Sequence, residues 1–290
     1  MKMKNRGGVI KKKTFYIWVV VICSFIFYFE VRFLPLAKNV VMDKRKAASL
    51  LKSITSDPKI ISGIHNYCDR WCERCTHSAF CSVYLMEKEF DAEREQSDDE
   101  NKEFWDEIHV MFQVAADMLQ EMMEEMGIDP NNLPEEDVES ALPDPEKHEA
   151  VKLSREYSLR GHDWMKLNYS EIEEKHTQLA GIDDERANQL VDVIEVLQHY
   201  LLLVSAKTYR CHLQFDYEED EYEFNDALGS AKIAVIVIER SIAAWMKLME
   251  IFPQFEDDIL SFLKDLAVVK KLILKKLPNA MDFKRPGFDE

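Results

Sequence analysis

Four of the chain's six cysteines lie between Cys68 and Cys81, spaced C-x3-C-x2-C-x5-C. Thiolates bind soft metals, and four in one short segment can close a site without donors from elsewhere. Disulfides are the competing use, but they belong to oxidising compartments and to small domains that lack a core. At 290 residues and 47% hydrophobic content, this chain has length and apolar surface enough for a core. Cys23 and Cys211 stand far from the cluster, in apolar or helical contexts. The spacing therefore predicts one metal or cluster site, with Cys68, Cys72, Cys75 and Cys81 as its ligands.

The rest of the chain reads as helix. Eight glycines and nine prolines are few for this length, and no alternating strand pattern, glycine-rich phosphate loop or internal repeat occurs. Helical periodicity begins near Met42 with Ala47, Leu50, Leu51 and Ile54. It resumes after Ser78, and again up to Met126 with Phe104, Ile108, Met111, Phe112, Ala115, Leu119 and Met122 as the apolar face. Gly127 suits a helix C-terminus. Residues 128–146 hold four prolines among acids and asparagines and read as a linker. Beyond it the pattern predicts two long helices, about 146–179 and 184–215. A helix over 226–252 follows, then one that begins at Pro253 and ends near Leu277, with residues 278–290 as a frayed tail. The expected fold is all-α, an antiparallel helical bundle over 147–277, with a short cysteine-rich metal-binding element and the first helices in 42–127.

Residues 1–41 differ in kind. They carry eight Lys/Arg against one acid, and an apolar run from Phe15 to Phe29 follows Lys11-Lys12-Lys13. Fifteen helical residues reach roughly 22 Å, short of a hydrocarbon core of about 30 Å. Extending the run to Leu34 takes in Glu30 and Arg32. Three readings stay open: a single membrane anchor over 15–34, an extension upstream of a start at Met42, and a signal peptide with a poor cleavage site. The remaining residues hold 29 Lys/Arg and 53 Asp/Glu, a balance that repels phosphate backbones and argues against nucleic-acid binding. The globular part is expected in the cytoplasm, tethered to a membrane if residues 15–34 form an anchor.

Two local resemblances bear on the metal. Cys68-x3-Cys72-x2-Cys75 has the spacing of the radical-SAM cluster loop, but Arg74 stands where that loop carries an aromatic, and no barrel pattern follows. Cys72-x2-Cys75-x5-Cys81 resembles the C-x2-C-x5-C cluster-ligand segment of SPASM-type proteins and iron–sulfur nucleases. That resemblance implies cluster ligation by Cys72, Cys75 and Cys81, with Cys68 as a local fourth ligand where those families take one from elsewhere in the chain. Structural zinc often uses two C-x2-C knuckles and this segment has one, so a 4Fe-4S cluster leads and a single zinc ion is the alternative. Tyr67, Trp71 and Phe80 are candidates for an apolar shell, and Arg70 and Arg74 for charge compensation.

Outside the loop the signals are weaker. Glu195 and His199 lie one turn apart on a stripe with Asp192 and Arg210, which reads as a solvated face. In the next helix, Lys232 and Glu239 share a face with Arg240 beside an unbroken apolar run from Ile233 to Ile238. Charges on a buried helix need partners, and these are expected to find them in Glu195, His199 or Lys207. Gly229-Ser230-Ala231 permits close packing. Three functional classes remain: an iron–sulfur protein that transfers electrons or senses redox state with a partner protein, a zinc-stapled interaction module, and an enzyme with a pocket around Glu195, His199, Lys232 and Glu239.

Overall fold

The computed structural model describes residues 44–94, 100–127, 129, 145–213 and 221–289; the expected anchor over 15–34 and most of the 128–146 linker lie outside them. The described residues are helical and contain no strand. Eight α-helices occur among the described residues: α1 (Lys44–Ser56), α2 (Ser82–Arg94), α3 (Glu100–Glu125), α4 (Glu149–Leu167), α5 (Tyr169–Ala180), α6 (Asp184–Leu213), α7 (Glu221–Ile251) and α8 (Glu256–Lys276). By contacts the chain divides into two units, one of residues 1–60 and 83–136, the other of residues 61–82 and 137–290. The cysteine segment thus belongs to the C-terminal unit rather than to the first helices.

In the first unit α1 packs on α3. Its core centres on Val114, against which Ala48, Leu50, Leu51, Met86, Val110 and Met118 pack. The Val110–Val114–Met118 line differs from the expected stripe, and Phe112, assigned to that stripe, is exposed. Both lines satisfy the helical period, and Leu50 and Leu51 of α1 select between them. Gly127 closes α3 with φ 65°, as a left-handed terminal residue should.

In the second unit α7 is the central element. Ile233, Ala234, Val235, Val237 and Ile238 are all buried, along with Trp245 and Leu248 further on. It packs most extensively on α6 and also on α8, while α4 packs on both α6 and α8. At one end the core is aromatic: Trp245 stacks on Phe262 at 4.5 Å, and its indole N–H donates to Tyr157 Oη at 2.9 Å. Burial and the apolar surroundings push the Tyr157 phenol up to about 12.

The expected 146–179 helix is interrupted. Asn168 separates α4 from α5, and its side-chain amide donates to the Trp164 carbonyl at 2.9 Å. A short amide that bonds the backbone four residues back competes with helix propagation, and here it turns the chain. Pro253 opens a 3-10 turn, Pro253–Phe255, before α8 starts with three acids and ends with Lys275 and Lys276, matching the helix dipole. Among the described residues α6 alone is long and apolar enough to cross a membrane by length and composition. Its buried face packs on α4, α5 and α7.

The tail is not frayed. Leu277 and Ala280 are buried, and a 3-10 turn over Ala280–Asp282 leads to Phe283, whose ring lies 4.8 Å from that of Tyr67. Both rings sit on Gly229 of α7, where an added Cβ would overlap them. The Gly229-Ser230-Ala231 signal for close packing is therefore met, by a loop and the tail. Because neither ring has a free direction to retreat, Gly229→Ala is expected to destabilise the protein by about 1–3 kcal/mol. Urea unfolding at neutral pH measures this; an unchanged midpoint would show that the rings yield without cost.

Candidate functional site

Residues 61–82 form three short 3-10 turns, Ile64–Tyr67, Cys72–Arg74 and Ser78–Phe80, with the cysteines at their ends. Cys68 follows the first turn, Cys72 opens the second, and Cys75 and Cys81 follow the second and third in extended conformation. The Cys75 N–H donates to the Cys72 carbonyl and the Cys81 N–H to that of Ser78, both at 3.2 Å. A closed turn brings its first and last Cα atoms within about 7 Å, so Cys72 and Cys75 have the spacing of a chelating pair. The His77 N–H approaches Cys75 Sγ at 3.4 Å, and Cys68 Sγ lies 3.5 Å from the His65 carbonyl. None of the four cysteines is in a disulfide; Cys81 is buried and the others are half-buried.

What holds this loop is a set of contacts to α6 and α7. The carboxylate of Asp69 accepts from Tyr200 Oη at 2.8 Å and from the Arg240 guanidinium, which also donates to Tyr200 at 2.7 Å. His199 Nε2–H donates to the Asp69 carbonyl at 2.9 Å, and Lys207 Nζ donates to that of Asn66 at the same distance. Tyr67 Oη donates to Asp226, which Arg210 holds from the other side, each at 2.9 Å. Arg74 bridges Asp192 at 2.6 Å and Glu195 at 2.5 Å while its guanidinium lies 4.0 Å over the Trp71 ring. Trp71 in turn stacks on His199 at 4.5 Å and meets Tyr200 edge-on at 5.6 Å. Between Asn66 and Arg74, every second or third residue grips a helix. Arg70, at φ 57°, is the only described residue besides glycine in the left-handed region, and it turns the backbone between Cys68 and Cys72.

The C-terminal tail covers the other side. Lys232 Nζ donates to the Phe283 carbonyl at 2.7 Å and to Asp289 at 2.8 Å, and Arg285 pairs with Asp289 at 2.8 Å. Phe288 lies 4.8 Å from the His77 ring, and Gly287, at φ 76°, rests against Ile61 and Ile64.

These placements settle where the residues singled out earlier go. Asp192 and Glu195 stay more than half exposed, as expected of a solvated face, but both pair with Arg74, and with His199 and Arg210 they form the face that receives the loop. Lys232 pairs with the tail, Glu239 pairs with Lys270 of α8 at 2.6 Å, and Arg240 reaches Asp69. None of the three pairs with Glu195, His199 or Lys207 as expected, and the four enzyme candidates make four separate contacts, to Arg74, the Asp69 carbonyl, Asp289 and Lys270. Asn66, Asp69, Tyr200 and Asp226 escaped the sequence reading. The crowding of Asp69, Trp71 and Arg74 between the cysteines was the available signal.

The loop is set in positive charge. Burial, then the neighbouring Arg210, brings the Lys207 ammonium down to about 7 although the Cys68 thiol opposes the shift. Burial and the cations Arg70, Arg210 and Lys207 take His65 down to about 4, and its buried Nδ1 has no hydrogen-bond partner among the described residues. Burial raises the Asp69 carboxyl, but hydrogen bonds from Tyr200 and the Trp71 N–H, with the Arg240 charge, outweigh it and hold that group below its ordinary value.

As a donor set, four thiols in one loop suit a soft metal. As the side chains stand, no group of three or more His, Cys, Asp or Glu among the described residues converges on a common point. No protein-family model matches the chain, nor does any curated protein or solved structure.

Asp69→Ala removes a carboxylate that answers two donors and leaves Arg240 and Tyr200 facing each other. It is expected to cost about 2 kcal/mol in urea unfolding and to speed reaction of the four loop thiols with a disulfide reagent. Acid should act in the same direction. The Asp69 and Asp289 carboxyls are both held low, Asp289 chiefly by Arg285. Their contribution is complete above an unfolded-state value of about 3.9 and is lost as pH falls through the lower folded values. Thiol reactivity toward a pyridyl disulfide, followed downward from neutral pH, should rise only below that point. A rise centred near neutrality would assign the clasp to other groups.

Proposed function

We propose that this is a thiolate-ligated metal protein in which Cys68, Cys72, Cys75 and Cys81 hold a four-iron cluster, serving electron transfer or redox sensing with a partner protein. The observation that carries the reading is the pairing of four cysteines outside any disulfide in fourteen residues with a loop anchored to α6 and α7 at Asn66, Asp69 and Arg74. Four thiolates around such a centre leave net negative charge, and Arg70, Arg74, Lys207 and Arg210 supply the balancing field. A bound cluster would supply one-electron exchange. The protein's own part is to hold the thiolates, compensate their charge and screen them with Trp71 and the tail.

In this reading the cysteine loop caps one side of an antiparallel helical bundle. The globular part lies in the cytoplasm, where thiols stay reduced, with residues 15–34 as its membrane tether. Zinc in the same place is the second reading, favoured by the extent of the docking, since a loop knitted to two helices is what a redox-inactive staple would reinforce.

Anaerobic purification decides between them. A cluster gives brown protein with about four irons per chain and visible absorbance that dithionite bleaches. Zinc gives colourless protein with about one metal per chain. Cys72→Ser or Cys81→Ser is expected to abolish stoichiometric metal in either case. Folded protein with neither metal and four freely titrating thiols would overturn the proposal.

A further inference from the structure

Residues 285–289 are built as one piece. The Phe288 and Asp289 N–H groups donate to the Arg285 carbonyl at 3.1 and 3.2 Å, and the Asp289 carboxylate accepts from the Arg285 N–H and guanidinium in return. The same guanidinium lies 4.9 Å over the Phe288 ring. These contacts are internal, so they survive if the piece moves. A second, smaller set ties it down. Phe288 meets the His77 ring, Gly287 lies against Ile61 and Ile64, and Asp289 accepts from Lys232. The root is anchored separately: Phe283 packs with Tyr67 against Gly229, and its carbonyl accepts from Lys232 Nζ. Exposed Lys284 joins root to piece.

Shared partners make that docking reversible. Lys232 has one acceptor on the root and one on the piece, while Asp289 has one cation on α7 and another in Arg285. Lifting the piece therefore leaves neither charge alone, and an uncompensated buried charge is the outcome that would hold it shut.

The footing of the piece is the second half of the cysteine loop. The grips at Asn66, Asp69 and Arg74 end before Cys75. Beyond that point His77, under Phe288, donates its N–H to Cys75 Sγ. Ile61, under Gly287, donates its N–H to the carbonyl of Phe80, the residue before Cys81. We propose that residues 285–289 are a strap, hinged at Lys284, that closes over the Cys75–Cys81 half of the loop and sets the access of thiol reagents and metal donors to it. The strap opens by local release while the bundle stays folded. The Cys68–Cys72 half is held independently, by Asp69 and its partners. This inference does not depend on which metal the thiols carry.

Thiol reactivity of the full chain, reduced and freed of metal with a chelator, tests it; a pyridyl disulfide is the reagent and mass spectrometry follows each cysteine. Phe288→Ala and Asp289→Asn each remove a tie of the strap. Each is expected to speed reaction of Cys75 and Cys81 roughly tenfold, the scale of one lost aromatic contact or ion pair, with Cys68 and Cys72 little changed. Cys211, fully buried in the bundle core, reports opening of the bundle and should not respond. Linkage requires the converse effect. His77→Ala, which takes away the strap's footing, should speed trypsin cleavage after Lys284 in the protein as purified, a measurement that needs no removal of metal. Unchanged rates at Cys75 and Cys81 in both strap variants overturn the proposal. So does an acceleration that Cys211 shares, or trypsin cleavage indifferent to His77→Ala.

Discussion

The loop that carries four cysteines has no regular secondary structure beyond three short turns, so its shape has to be imposed from outside. Asp69 is where most of that is done. Its carboxylate takes Tyr200 and Arg240, its carbonyl takes His199, and the next aromatic, Trp71, stacks on the same histidine. Each of these contacts is modest alone, and a surface ion pair is worth little. Here they share members: Tyr200 serves both Asp69 and Arg240, and His199 serves both Asp69 and Trp71. Loss of one member leaves polar groups facing one another in a half-buried layer, so the set stands or fails together. That coupling turns a short irregular segment into a fixed platform.

The tail makes the same argument from the other face. Lys232 is nearly buried on a helix with an apolar neighbourhood, and such a charge is tolerable only when paired. Its partners, the Phe283 carbonyl and Asp289, come from the last residues of the chain. Gly229 lets the Tyr67 and Phe283 rings lie against the helix backbone, so the loop and the tail share one seat. Acidic residues therefore act in two ways in this strongly acidic protein. Among the described residues many are exposed, while Asp69, Asp226 and Asp289 each answer a specific arginine or lysine.

Much of this was legible in the sequence, and the failures have a common cause. Periodicity marked the helices because the apolar stripe of α6 and the solid apolar run of α7 follow from burial in one core. Pro253, Gly127 and the charges of α8 marked ends because their effects are local. The break at Asn168 was missed because it depends on one amide bonding the Trp164 carbonyl inside an otherwise helical pattern. The stripe of Asp192, Glu195, His199 and Arg210 reads as a solvated face, and Asp192 and Glu195 do remain half-exposed, but polarity alone does not show that a loop also docks on it. Lys232 was recognised as needing a partner, but helical spacing points along neighbouring helices and not to a tail fifty residues on. The cysteines announced themselves by spacing; their supports, Asn66 through backbone oxygen and Tyr200 through a hydroxyl, carry no pattern at all.

A consequence follows for the cysteines themselves. Ligands of a metal must be deprotonated, and a thiolate in a half-buried loop is costly unless positive charge is near. The cations here stand at different depths. Arg74 is half-exposed and engaged with two carboxylates, while Lys207 is buried, donates to the loop backbone and has its charge disfavoured by Arg210 and burial. Negative charge gathered at Cys68 would relieve Lys207, since of the groups around that amine only Cys68 and Asp226 favour its charged form. The buried lysine and the thiols are therefore better satisfied together than apart. The same lysine holds the Asn66 carbonyl two residues before Cys68, so the charge that would steady a thiolate also fixes the backbone from which it projects.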